Sequence, residues 1–67
     1  MRGKVKWFDT AKGYGFITAE DGSNLFVHYT CINKEGFRSL DAGQTVEFEV
    51  GRNRRGELQA MDVTIVE

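Results

Sequence analysis

Apolar residues recur at every second position in several short runs, and turn signals separate the runs about every 8–12 residues. That periodicity points to strands with one buried face each. The candidate strands are residues 4–8, 13–19, 25–29, 45–50 and 58–66. Asp9-Thr10-Ala11-Lys12 joins the first two, Asp21-Gly22 marks a tight hairpin, and residues 51–56 form a basic loop. Residues 30–44 lack a clean period and admit a single helical turn near Thr30-Cys31-Ile32. Proline is absent, so Gly, Asn and Asp set the turns. Strands so closely spaced in 67 residues predict a small all-β sandwich or barrel, one domain spanning residues 1–67.

Strand parity assigns the faces, because successive side chains leave opposite sides of an extended chain. Val46, Phe48 and Val50 share one face, with Thr45, Glu47 and Glu49 on the other. Met61, Val63 and Ile65 are the expected inward set of the last run. Leu25 and Val27 oppose Phe26 and His28, and Ile17 opposes Tyr14, Phe16 and Thr18. The first run breaks the rule. Val5 belongs in the core, yet Trp7 shares its parity and Phe8 does not; a bulge near Trp7 would reconcile them.

Composition narrows the class. A chain this short buries only about 60% of the surface its unfolded form exposes. Neither a disulfide nor a zinc site can reinforce it, since Cys31 and His28 stand alone. With 40% hydrophobic and 28% charged residues, the chain reads as soluble and globular. No apolar run approaches the ~18 residues of a membrane helix. No basic stretch followed by an apolar one suggests a secretory leader. A single thiol fits a reducing compartment, so the cytoplasm is the expected location. No cofactor is expected.

A net charge of −1 conceals an uneven distribution. Residues 1–17 carry Arg2, Lys4, Lys6 and Lys12 against Asp9 alone, whereas residues 18–67 hold five basic and nine acidic side chains. Arg52, Arg54 and Arg55 form a second basic cluster within that acidic part. Local fields outweigh the total because salt screens over about 8–10 Å.

The second and third runs pose a contradiction. If Ile17, Leu25 and Val27 face the core, then Tyr14, Phe16, Phe26 and His28 lie together outside. A contiguous exposed aromatic patch marks a binding site. Lys6, Lys12 and Arg55 would rim it. Rings interleaved with cations suit single-stranded nucleic acid, whose bases stack at about 1–3 kcal/mol each while cations track phosphate. Gly13 and Gly15 keep the inner side of that strand thin, which suits a barrel corner.

These residues also resemble a known family. Lys12-Gly13-Tyr14-Gly15-Phe16-Ile17 is similar to the first ribonucleoprotein motif of the bacterial cold-shock proteins, and Phe26-Val27-His28-Tyr29 to their second. Lys4-Val5-Lys6-Trp7-Phe8 resembles their opening strand, and Glu35-Gly36-Phe37, Leu40 and Gly43-Gln44 their downstream half. The resemblance covers essentially the whole chain. It implies a five-stranded antiparallel barrel of the oligonucleotide-binding (OB) type. It further implies a monomer that binds single-stranded RNA and DNA, favours pyrimidine-rich stretches and acts as an RNA chaperone, with roles in transcription or translation. By matching position, Lys6, Trp7, Lys12, Tyr14, Phe16, Phe26, His28, Tyr29, Phe37 and Arg55 would carry binding. Asn24 stands where relatives often place an acidic residue able to bond a base edge. Four features depart from the pattern: Asp9 in place of Asn, Tyr29 in place of Phe, Cys31 in place of Ala, and Arg55-Gly56-Glu57-Leu58-Gln59 in place of a Gly-Pro-Gln type turn. The last leaves the roles of Arg54 and Arg55 open.

Plainer readings stand beside these. Trp7 would serve as packing, His28 as a surface residue, Phe37 as a cap on the barrel end, and the arginine cluster as a solvated loop. Tyr29 points inward on strict parity and reaches a ligand only if its strand ends there. Cys31 is expected as a small buried hydrophobe. A different class of function also fits an exposed aromatic face, namely a module binding a peptide, with little salt dependence. Enzymatic activity on a small-molecule substrate lacks support, because no Ser or Cys nucleophile pairs with a base and a third partner. No membrane partner is expected.

Overall fold

The computed structural model describes residues 1–33 and 39–66. Five strands follow in order: β1 (Arg2–Asp9), β2 (Tyr14–Ala19), β3 (Asn24–His28), β4 (Thr45–Arg52) and β5 (Leu58–Ile65). A short 3-10 turn, Tyr29–Cys31, follows β3, close to the helical turn expected around Thr30. The strands close a barrel in the order β1-β2-β3-β5-β4. All-β architecture and the five-stranded OB barrel are as the sequence implies. The pairing is antiparallel except at one seam, where β3 meets β5 in parallel through Phe26 and Gln59.

The hairpin at Asp21-Gly22 forms where the turn residues placed it. Gly22 donates its N–H to the Ala19 carbonyl at 2.9 Å, and the Asp21 carboxylate accepts the Ser23 N–H at 2.9 Å. Hydrogen bonds from Ser23, its amide foremost, hold the Asp21 carboxyl group below its ordinary range.

A bulge interrupts β1. Val5 pairs with Ile17, but Trp7, not Lys6, pairs with Phe16. One extra residue there returns Val5 to the core and turns Trp7 onto the outer face, as parity required. Close approach at this bend depends on Gly15. A Cβ at Gly15 would meet the Trp7 carbonyl oxygen and stand 2.7 Å from the Phe8 Cα.

A second irregularity lies between β4 and β5, and it corrects two expectations. Glu47 pairs with Thr64, while Glu49 pairs with Met61. The extra residue belongs to β5, where Asp62 adopts φ 52°. Inward positions on β5 are therefore Ala60 and Val63, not Met61 and Val63. Met61 is 43% exposed, and Ile65 is half-buried against the core. Val50 is also exposed, on the stretch of β4 that pairs with β5 but not with β1.

The core draws on every strand: Val5, Ile17, Leu25, Val27, Val46, Phe48, Ala60 and Val63, with Ile32 and Leu40 added from outside the strands. Each large aliphatic side chain sealed here contributes about 1.5–3 kcal/mol relative to exposure. Ile17, Leu25 and Val27 are fully buried, so the outer faces of β2 and β3 are committed to Tyr14, Phe16, Phe26 and His28.

Candidate nucleic-acid interface

Cross-strand pairing sets the aromatic surface. Tyr14 stands opposite His28, Phe16 opposite Phe26, and Thr18 opposite Asn24. The β1 bulge adds Trp7 beside Phe16, with ring centroids 5.5 Å apart. Phe16 meets Phe26 edge to face at 5.8 Å. Phe26 and His28 are stacked at 6.5 Å, and His28 meets Tyr29 at 4.6 Å. Tyr14 bridges Trp7 at 5.9 Å and Phe26 at 5.8 Å. The result is an unbroken strip, Trp7–Phe16–Phe26–His28–Tyr29. Its inner rings are half-buried against one another, while Trp7 and Tyr29 at the ends are 40% and 43% exposed. Rings braced in this way lose little rotamer freedom when a ligand stacks on them.

Tyr29 faces outward because β3 stops at His28. Its N–H donates to the Gly13 carbonyl at 2.8 Å, and its ring covers Gly13. A Cβ at Gly13 would stand 2.7 Å from the Tyr29 ring, and the Gly13 φ of 80° already favours glycine. The imidazole is fixed as well. His28 Nδ1 accepts the Thr30 amide at 3.4 Å and lies 2.9 Å from the Thr30 hydroxyl. An acceptor at Nδ1 places the ring proton of the neutral imidazole on Nε2.

Polar and cationic groups lie on the elements that carry the strip and on the loops that join them. Lys6 is the exposed residue of the β1 bulge, and Lys12 sits in the β1–β2 loop. Asp9 staples that loop through its carboxylate, which accepts the Lys12 N–H at 3.0 Å. Asn24 accepts the Thr18 hydroxyl at 3.3 Å, which leaves its amide nitrogen free to donate. Among the described residues, Lys6, Lys12, Arg54 and Arg55 form no ion pair. Phe37 lies outside the described residues.

The β4–β5 hairpin and the strip together line an open groove of about 640 Å³ floored by Trp7, Tyr14, Phe16 and Phe26. Its far wall is Asn53, Arg54, Arg55 and Glu57. Both Arg54 and Arg55, whose roles the altered turn had left open, line this groove. Sequence reasoning missed Asn53 and Glu57. The available signals were the basic cluster itself and the altered turn that follows it. Arg52 plays a different part, since its guanidinium donates to the Gly56 carbonyl at 2.6 Å and braces the hairpin. Cys31 is half-buried rather than buried, and its Sγ accepts the Gln59 side-chain amide at 3.1 Å. It sits at the open seam where β3 meets β5, which explains the incomplete cover.

Among the described residues, no cluster of His, Cys, Asp and Glu could hold a metal ion, and no helix is long and apolar enough to cross a membrane.

An OB barrel that turns braced rings and free cations to one side belongs to the nucleic-acid-binding barrels. The family model for the 'Cold-shock' DNA-binding domain matches residues 1–66, and the chain belongs to that family. Its members bind nucleic acid and are not enzymes. The chain is 55% identical over 67 residues to a cold shock-like protein of Thermotoga maritima, covering 100% of both. It is 60% identical over 56 residues to cold shock protein CspB of Geobacillus stearothermophilus, covering 84% of this chain and 85% of that one. Among solved structures, drosophila Unr CSD456 superposes with a TM-score of 0.77 at 27% identity, covering 98% of this chain and 26% of that one.

Proposed function

We infer that this chain, with residues 1–67 acting as one module, binds single-stranded RNA and DNA as a monomer in the cytoplasm and serves as an RNA chaperone. It prefers pyrimidine-rich strands and acts in transcription or translation through the RNAs it keeps unpaired. The observation that carries this reading is the unbroken contact path from Trp7 through Phe16, Phe26 and His28 to Tyr29. Successive bases stack along that path, Asn24 and the His28 Nε2–H offer donors to base edges, and Lys6, Lys12, Arg54 and Arg55 follow the phosphates. Phe37 is proposed to add a further ring.

Stacking dominates the energetics. Three to five stacked bases contribute on the order of 3–15 kcal/mol before the strand's ordering cost. Neutralising about three phosphates gives a log–log salt slope of only about −2. A protein of net charge −1 therefore binds a polyanion through its rings.

Trp7 is the only tryptophan and stands in the strip, so its fluorescence reads the site. Oligothymidine should quench it, an equal-length duplex should not, and raised salt should weaken binding only moderately. No response to any nucleic acid would overturn the proposal in favour of a peptide ligand.

A further inference from the structure

Glu57, an acidic residue, lines a groove that is otherwise suited to a polyanion. The hairpin does not need that charge for closure. Its backbone bonds run from the Asn53 N–H to the Glu57 carbonyl and from the Gly56 N–H to the Asn53 carbonyl, both at 3.0 Å. Asn53 Oδ1 holds the N–H groups of Arg55 and Glu57 at 2.9 and 3.0 Å. The Asn53 amide nitrogen then donates to Oε1 of Glu57 at 3.3 Å. One carboxylate oxygen is thus anchored to the hairpin, and Oε2 has no partner among the described residues.

We propose that Glu57 reads the edge of the base seated in this groove and favours one that offers an exocyclic amine, cytosine over uracil or thymine. The inference rests on the stacking site proposed above. An ionised carboxylate only accepts hydrogen bonds. Cytosine offers its N4 amino group, the pairing in which Glu and Asp accept from cytosine. Uracil and thymine offer only N3–H, flanked by two carbonyl oxygens that repel the carboxylate. Trp7 and Phe26 supply the stacking floor, and Arg54 and Arg55 compensate the charge of phosphate and carboxylate together. A carboxylate that is merely solvated would weaken every strand alike and leave base preference untouched.

The test uses a deoxyuridine heptamer with a single deoxycytidine moved through it, titrated against the wild-type chain and Glu57→Gln by Trp7 fluorescence. In the wild type, cytosine should tighten binding at one or more interior positions by about two- to ten-fold, the worth of one net hydrogen bond. In Glu57→Gln that ratio should fall to near unity, because an amide both donates and accepts. Loss of the carboxylate's charge raises affinity for all strands and cancels in the ratio. If the heptamer binds but cytosine is never favoured, or if the preference survives in Glu57→Gln, the base-reading role is overturned while the stacking site stands. If no strand binds to either protein, the stacking site itself is wrong and the role of Glu57 falls with it.

Discussion

The Asp9 carboxylate accepts the backbone N–H of Lys12 at 3.0 Å, so a negative charge directly across the ladder from Tyr14 works as a staple for the β1–β2 loop. An Asn side chain keeps that acceptor and drops the charge. Asp9→Asn should therefore bind oligothymidine about two- to five-fold more tightly at low salt, in line with roughly 0.5–1 kcal/mol for an exposed charge interaction. The gain should shrink as salt rises. Asp9→Ala, which loses the acceptor, should cost about 0.5–1.5 kcal/mol of stability. Paired titrations at low and high salt, with thermal melts, check both.

Binding should depend on rings more than on cations. Phe16→Ala and Phe26→Ala each remove a stacking surface worth about 1–3 kcal/mol, or roughly 5- to 150-fold in affinity. Lys12→Ala should cost less and flatten the salt slope by about one phosphate's share. Equal losses, or the reverse order, would sink the stacking account. Ile17→Ala separates site from scaffold: it should cost about 2–5 kcal/mol of stability, enough to unfold much of so small a domain.

Two glycines with positive φ should respond differently to alanine. Gly56 (φ 78°) has open space around its would-be Cβ, whereas at Gly13 (φ 80°) that atom meets the Tyr29 ring at 2.7 Å. Gly56→Ala should cost about 1–2 kcal/mol, the left-handed backbone penalty alone. Gly13→Ala should cost more and should also displace Tyr29, weakening oligonucleotide binding. Melting temperatures and affinities of the two variants, measured side by side, decide this.

Asp21 sets an acid-side dependence. Its carboxyl is held below the ordinary value of 3.8 by bonds from Ser23. A depressed carboxyl pKa contributes stability at pH above the unfolded value, and that contribution is lost as pH falls through the folded value. Between about pH 4 and pH 2 the wild type should therefore lose stability faster than Asp21→Asn, whose amide oxygen still accepts the Ser23 N–H. Denaturant melts across that range should converge if the staple acts this way; parallel curves would count against it.

The two faces of β2 and β3 were legible in the chain itself. Ile17, Leu25 and Val27 could not be buried without turning Phe16, Phe26 and His28 outward, since alternate Cβ atoms leave opposite sides of an extended backbone whatever it pairs with. The broken parity at Trp7 even announced the β1 bulge, because one strand carried two incompatible demands. Glycine and aspartate marked the β2–β3 turn for an equally local reason.

What lay beyond the sequence depended on partners distant along the chain. Met61 and Val50 read as core by simple alternation, yet the extra residue at Asp62 exchanged Met61 for Ala60, and Val50 lies exposed where β4 pairs with β5 alone. The parallel seam of Phe26 with Gln59, and the half-cover it leaves over Cys31, follow from barrel closure, which no local pattern encodes. The β4–β5 hairpin brings Arg54, Arg55 and Glu57 over rings about thirty to fifty residues earlier in the chain, and so makes a groove from a turn that the local sequence left open between a solvated loop and a basic rim. Side-chain alternation is a property of each residue's own backbone, whereas register, bulge and closure are settled only when strands meet.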